Sequence, residues 1–560
     1  MNRHFFTAAW TLATLLAFNT FAEDLPADAL LATIPTEANA DFRPVVSPSG
    51  RLCALVRTAD KKSSVIVNGK EGERFDSVAV LQFNLAARSV TYLAQQNGKL
   101  FVVRGDAKGD PFDTIAYLRC APDGDMNGWN YSGGGKVSPN VPDANAGLSP
   151  PREVYDGEHI AYWGVTGKDW TFVFDDKKWT GFVTSDHSEA DGGAIIHLSP
   201  DGKYVAFEGR TPDWKWEVFG NSFKSGKFAS DYLLGITADG QPVYHATSDR
   251  TAALYVGARK IGDYGQLGAT AFTADGARVV YCASVQLNGA WFLHDTGKQI
   301  APFFTSSNLV FSPDKKSYAG FAQDHGKTTL VLNGAFAPVS YLYCYGSPQF
   351  SPDSARVAYA AQKENKKWVV VCDGVESAEY DYACNITFSP DSKSFGFTAS
   401  SYADVNKDKS FIVVNGKRGA NFISVQALVF SPDGQHHAYL APIARPAPPA
   451  LSRPAAADAD VDPRFAAILD EVPTPVPDPG YDRIELPLVF TRDGALVYKA
   501  QRKDDALIVV GSKTVPLKDP TLSPLIFNAD HTQCGYVAQS GNDIVWRRVD
   551  LTEAAPTAKP

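Results

Sequence analysis

The tetrapeptide Phe-Ser-Pro-Asp occurs at Phe311–Asp314, Phe350–Asp353, Phe388–Asp391 and Phe430–Asp433, so its prolines at 313, 352, 390 and 432 are 39, 38 and 42 residues apart. A unit recurring every ~40 residues is an array of small β-units, and the repeat sets the architecture before any single residue is interpreted.

Ser, Pro, Asp and Gly suit successive positions of a type I turn, as in Ser199-Pro200-Asp201-Gly202 and Ser431-Pro432-Asp433-Gly434. Proline presets φ, and the Ser and Asp side chains bond nearby backbone. Short runs such as Tyr204-Val205-Ala206-Phe207 and Val357-Ala358-Tyr359-Ala360 follow, apolar on both alternating faces. That pattern predicts a strand sandwiched between two neighbouring sheets. Many units then carry a β-branched run closing on Asn-Gly or Asp-Gly, as in Ile412-Val413-Val414-Asn415-Gly416, the strongest short-range hairpin signal. Each unit therefore predicts four short antiparallel strands, the arithmetic of a propeller blade.

Clear turn copies fall at Pro48, Pro122, Pro200, Ala238, Ala274, Pro313, Pro352, Pro390, Pro432, Arg492 and Ala529, with degenerate ones at Leu85 and Tyr155. The expected fold is thus an all-β β-propeller of about thirteen four-stranded blade-like repeats. One ring of that size exceeds the usual four to eight blades, so two tandem propellers of six to seven blades are expected. The preferred division is seven units before about residue 305 and six after it, with six and seven as the alternative: residues 43–305 for the first propeller and 306–551 for the second. Two segments leave the repeat: the Gly/Asn/Pro/Ser-rich stretch Met126–Pro151, and a Pro/Ala-rich insertion, 442–480, around a short expected helix at Arg464–Glu471. Loops of such length are functional or disordered.

Residues 1–22 read as an export signal, with Arg3 and His4 before the apolar run Phe5–Phe18 and small residues at Thr20 and Ala22. The mature chain then begins at Glu23, with a short amino-terminal extension over 23–42 and a disordered tail over 552–560. The run is too short to span a bilayer, and no integral membrane segment follows. A periplasmic or secreted product is expected. Loss of Arg3 with the signal takes the formal charge from −9 to −10. Nucleic acid is therefore excluded as a partner, since its binding rests on neutralising phosphates with Lys and Arg. Seven cysteines are odd in number and fit no zinc spacing. They read mostly as small buried apolar residues, although Cys372, Cys384 and Cys344 leave a disulfide open.

The copies of Phe-Ser-Pro-Asp-Gly, each followed by an apolar strand, resemble the WD40-like (PD40) repeat of TolB-type periplasmic propellers, also found in the propellers of prolyl-oligopeptidase-like peptidases. The resemblance covers about Phe42 to Leu551. TolB-type proteins carry an α/β domain ahead of the propeller and the peptidases a separate hydrolase domain, and the sequence has room for neither. What the resemblance implies is an exported propeller without a catalytic module.

No Gly-x-Ser-x-Gly elbow and no phosphate-binding loop occurs; Asn130-Tyr131-Ser132-Gly133-Gly134 and Gly133-Gly134-Gly135-Lys136 are the nearest approaches. Asp123-Gly124-Asp125-Met126-Asn127-Gly128 matches the first half of a calcium loop, yet Gly134 stands where the bidentate glutamate belongs. Asp404–Asp408 is a weaker match still. His187, His197, His245 and His294 invite comparison with propeller oligogalacturonate lyases, to which such repeats are similar and which hold a metal with clustered channel histidines. Of the four, only His197 falls on an expected innermost strand. Trp163, Trp170, Trp179, Trp214 and Trp216 form a local concentration of indoles that either packs between blades or stacks on a ligand. No catalytic, metal or cofactor-binding residue is assigned and no cofactor is expected. The expected function is a non-enzymatic platform in the bacterial cell envelope with a protein partner, or else a polysaccharide, on its loops. The alternative is a metal-dependent polysaccharide lyase or hydrolase of propeller type.

Overall fold

The computed structural model describes residues 28–33, 45–46, 53–83, 90–119, 130–132, 159–183, 196–199, 202–248, 251–284, 290–302, 306–401, 409–443, 464–474, 481–503, 505–528 and 530–551. Every regular element among them is a strand, and the strands form twelve antiparallel sheets: ten of four strands, one of five and one of three. The fold is an all-β propeller fold, with twelve blade-like sheets among the described residues. Blades 1 to 12 run 45–75, 77–108, 114–183, 196–220, 230–264, 266–302, 306–336, 343–376, 382–418, 426–473, 483–516 and 526–550, the last joined by Ala29–Thr33.

Twelve blades replace the expected thirteen because positions 122 and 155 both lie between the first two strands of blade 3. Those strands, Thr114–Arg119 and Ala161–Thr166, pair directly with each other. The insertion between them returns one further strand, Asn130–Ser132, to the opposite edge of Thr114–Arg119. The helix expected at 464–471 is instead strand Arg464–Leu469 of blade 10, followed by a hairpin turn at Asp470 and Glu471 and strand Val472–Pro473. Ala466, Ala467 and Ile468 are fully buried, so packing between sheets overrides their helical preference. The amino-terminal extension also has a structural part, because Ala29–Thr33 pairs antiparallel with residues 543–546. The export signal, the tail, the partial calcium loops at Asp123–Gly128 and Asp404–Asp408, and His187 lie outside the described residues.

The repeated turn does more than reverse the chain. The hydroxyls of Ser312, Ser351, Ser389 and Ser431 each donate to the aspartate two residues on at 2.5–2.6 Å. Each also accepts the backbone N–H of the residue five positions on, at 2.9–3.0 Å. These serines are buried, so each hydroxyl finds its hydrogen bonds within the turn instead of with water. Hydroxyl hydrogen bonds hold the turn aspartates Asp314, Asp353, Asp391 and Asp433 below their ordinary value of 3.8. Their contribution is therefore complete above about pH 4 and is lost as the pH falls below it.

The fourth turn position has positive φ: 62° at Lys315, 66° at Ser354, 64° at Ser392 and 69° at Gly434. Only glycine adopts this without strain. The two serines have a compensating bond, since Ser354 and Ser392 Oγ accept the backbone N–H of Asp314 and Asp353 from the preceding blade, each at 2.9 Å. Lys315 has none. Lys315→Gly is therefore expected to raise stability by about 0.5–1 kcal/mol. Urea denaturation checks this, and an unchanged or lower midpoint would contradict it.

A second repeated device is an aromatic–Asp pair at the junctions between blades. Phe112, Tyr380 and Tyr481 bridge the strand opposite, and Asp follows each of them. Lys62, Lys99 and Lys367 each reach an aspartate 14 residues on: Asp76, Asp113 and Asp381. Asp76 and Asp113 also accept N–H groups from the next blade, Asn97 at 2.7 Å and Gly167 at 3.0 Å. Exposed ion pairs contribute little alone. The backbone bond is what makes the carboxylate a staple between neighbouring blades.

The described residues form two compact units, one within 312–540 and 547–551, the other within 28–311 and 541–546. Apolar clusters join blades 8 to 11 pairwise in the first unit and blades 1 to 6 in the second. Second strands such as Val357–Gln362 are buried on both faces, as the doubly apolar pattern requires. Six described cysteines are buried, and Cys344, Cys372 and Cys384 form no disulfide with one another. No helix of the described residues is long and apolar enough to cross a membrane.

Candidate functional site

Blade 4 collects the features that the repeat does not explain. On its face toward blade 3, Phe207 lies among Trp163, Phe172, Trp179, Phe182 and Phe219, with ring centres 3.7–6.0 Å away. Trp163 is fully enclosed and Trp170 packs against it at 5.7 Å. Trp163 is interior and Trp170 is partly buried against it, so the packing alternative holds for both. Phe182 reaches in because Gly209 faces it: a Cβ there would stand 2.3 Å from the ring.

Trp179 is only half-buried and borders a cleft of about 450 Å³ between the outer strands of blades 3 and 4. Phe182 and Phe219 line its apolar side, with Thr211, Asn221, Glu217 and Lys224 supplying the polar groups. Aromatic walls with a few placed polar groups are the usual make-up of a binding cleft of this volume. Glu217 is buried and pairs with Lys224 Nζ at 3.2 Å, and that ammonium lies 5.4 Å from the centre of the Phe219 ring. The arrangement suits stacking and hydrogen bonding.

The hairpin joining strands Val205–Arg210 and Trp216–Gly220 carries the other two indoles. Its turn is closed by the Trp214 N–H to the Thr211 carbonyl at 2.9 Å and braced by Asp213. Asp213 accepts from Thr211 at 2.6 Å and from Lys227 at 2.9 and 3.0 Å. The Thr211 hydroxyl, then Lys227, hold its carboxyl down to about 2. Trp214 is 48% exposed and sits at φ 62°. For a bulky residue that conformation costs on the order of 1–2 kcal/mol. The Arg210 guanidinium lies 4.3 Å from the Trp214 ring centre and 5.5 Å from that of Trp216.

The histidines are not brought together. His197 is half-buried on the first strand of blade 4, His245 lies on the second strand of blade 5, and His294 on the third strand of blade 6. His245 stacks on Tyr232 at 5.7 Å and His294 on Tyr281 at 5.0 Å, and burial lowers the pKa of both imidazoles. Among the described residues no group of three or more His, Cys, Asp or Glu is placed to hold a metal ion. Among the described residues a titratable cluster lies elsewhere, in blade 10. There His437 Nε2 meets Glu471 at 3.1 Å, Tyr439 donates to Glu471 at 2.9 Å, and His436 contacts Asp470 at 2.6 Å. Reading 464–471 as a helix hides this cluster, because only a hairpin turn returns Glu471 to His437.

No protein-family profile matches the chain, and no curated protein matches it. Solved structures do. A eukaryotic initiation factor is 10% identical over 65% of this chain and 94% of its own, with a TM-score of 0.33. TolB from Acinetobacter baumannii is 13% identical over 64% of this chain and 79% of its own, with a TM-score of 0.20. The β-propeller domain of the Trilobed protease from Pyrococcus furiosus is 11% identical over 57% and 98%, with a TM-score of 0.22. The propeller assignment rests on this chain's own strand topology.

Proposed function

We propose that the chain is an exported propeller of the TolB-like PD40 type that works, without catalysis of its own, as a protein-interaction platform in the bacterial cell envelope. The observation that carries this reading is the division of labour between polar and aromatic groups. The repeated Ser, Thr, Lys and Asp side chains hold turns and neighbouring blades together, whereas blade 4 leaves Trp179 at a cleft and Trp214 on a braced hairpin. Partly exposed Trp and Arg on a rigid scaffold are the residue types that dominate protein–protein affinity. The signal-like residues 1–22 and the Ser-Pro-Asp-Gly turns support export and the repeat type.

Crosslinking of the full-length protein expressed in its native envelope is expected to capture one defined protein partner, with polysaccharide screens in divalent metals giving no turnover. Turnover of an acidic polysaccharide that is abolished by His197→Ala would overturn the reading in favour of a lyase. Capture of no partner would overturn it as well.

A further inference from the structure

Trp214 is the only Trp, Tyr or Phe at positive φ among the described residues. The corresponding hairpins of other blades place Asp60 and Lys61, Asn97, His325, Lys366 and Lys503 in that conformation, all polar and all suited to an exposed turn. A strained, exposed indole persists where the surroundings impose it, and such outliers cluster at functional sites. Its neighbour is equally unusual. No hydrogen bond or ion pair engages the Arg210 guanidinium among the described residues, and its Nε is buried without a partner. A guanidinium has five donors in a planar fork that matches a carboxylate.

Charge sharpens the choice of ligand. Residues 210–228 hold four basic side chains (Arg210, Lys215, Lys224, Lys227) and two acidic ones (Asp213, Glu217), a local +2 within a chain of −9. Lys227 is paired with Asp213 and Lys224 with Glu217, which leaves Arg210 and Lys215 uncompensated. The Asp213 brace fixes the hairpin before any ligand arrives, which lowers the entropic cost of binding.

We infer that the Arg210–Trp214–Trp216 stack is the anchor for an acidic segment of a partner protein, with Arg210 taking a carboxylate and the Trp214 face covering it. The inference rests on the platform reading and names the chemistry that the platform selects. Fluorescence anisotropy of a fluorescein-labelled tetraglutamate peptide with the full chain, at low salt, tests it against a tetraglutamine amide. Binding of tetraglutamate alone is expected, weakened at least tenfold by Arg210→Gln and by Trp214→Gly. The thermal midpoint of Trp214→Gly should match or exceed that of the unsubstituted protein, because glycine accepts the backbone angle. Equal binding of both peptides, binding of neither, or unchanged affinity in the two variants would overturn the inference. Partner capture that persists in Trp214→Gly would also overturn it while leaving the platform reading intact. Tetraglutamate binding with no captured partner would do the reverse.

Discussion

Phe207→Ala is expected to lower the stability of the region around blades 3 and 4 by about 4 kcal/mol, in the upper range for large-to-small core substitutions. The ring is fully buried, stacks on Phe172 at 3.7 Å and on Phe219 at 5.1 Å, and meets Trp179 and Trp163 edge-on at 5.4 and 5.5 Å. Its removal takes away apolar burial and leaves a cavity walled by rigid rings, which cannot collapse to fill it. Because Trp179 and Phe219 also border the cleft, the same substitution should loosen its wall. Denaturant titration followed by tryptophan fluorescence measures the loss. A change below about 1 kcal/mol would show that the seam does not depend on this ring.

Glu208→Gln should act in the opposite direction, and only above acidic pH. Glu208 is 5% exposed on the face of blade 4 toward blade 5, where its carboxylate accepts the N–H of Leu233. Burial raises its pKa from 4.5 to about 7, against the lowering effect of that hydrogen bond. A folded-state value above the unfolded one means that ionisation opposes folding. The penalty is absent below about pH 4.5, grows as the pH rises toward 7, and stays constant beyond. At about 1.4 kcal/mol per pKa unit it reaches the order of 3 kcal/mol. Glutamine keeps an oxygen for the Leu233 N–H and removes the charge. The variant should therefore gain several degrees in thermal midpoint at pH 8 and match the parent at pH 4. A gain that is equal at both values would refute the assignment.

The blade pattern was legible because Ser-Pro-Asp and Asn-Gly report local backbone geometry, which neighbours in sequence decide. The blade count failed where that logic weakens. Pro122 and Tyr155 both carry turn-like surroundings, yet only pairing at a distance decides that Thr114–Arg119 takes Ala161–Thr166 as its neighbour. The aromatic–Asp staple carried a readable signal, a lysine 14 residues before an aspartate, but that spacing means nothing until both residues are seen flanking one strand connection. Among the indoles, composition marked the right region and could not sort it. Trp163 stands in the apolar run Ala161–Val165 and Trp214 between Asp213 and Lys215, but it is the sheet that places one under Phe182 and the other on a hairpin beside Arg210. The repeat already assigned His197, His245 and His294 to three different units, and the structure has them on three different blades.

The pairing of Ala29–Thr33 with residues 543–546 also sets a clock. Thr33 and its hydrogen-bond partner Asp543 are 510 positions apart. At roughly 5–20 residues per second of synthesis, the amino-terminal strand waits from about 25 seconds to well over a minute for its partner to exist. Throughout that interval it is an unpaired edge, open to any other extended segment, including the same strand of a second nascent chain. A cell making this protein must keep those few residues occupied or apart until the carboxyl end arrives.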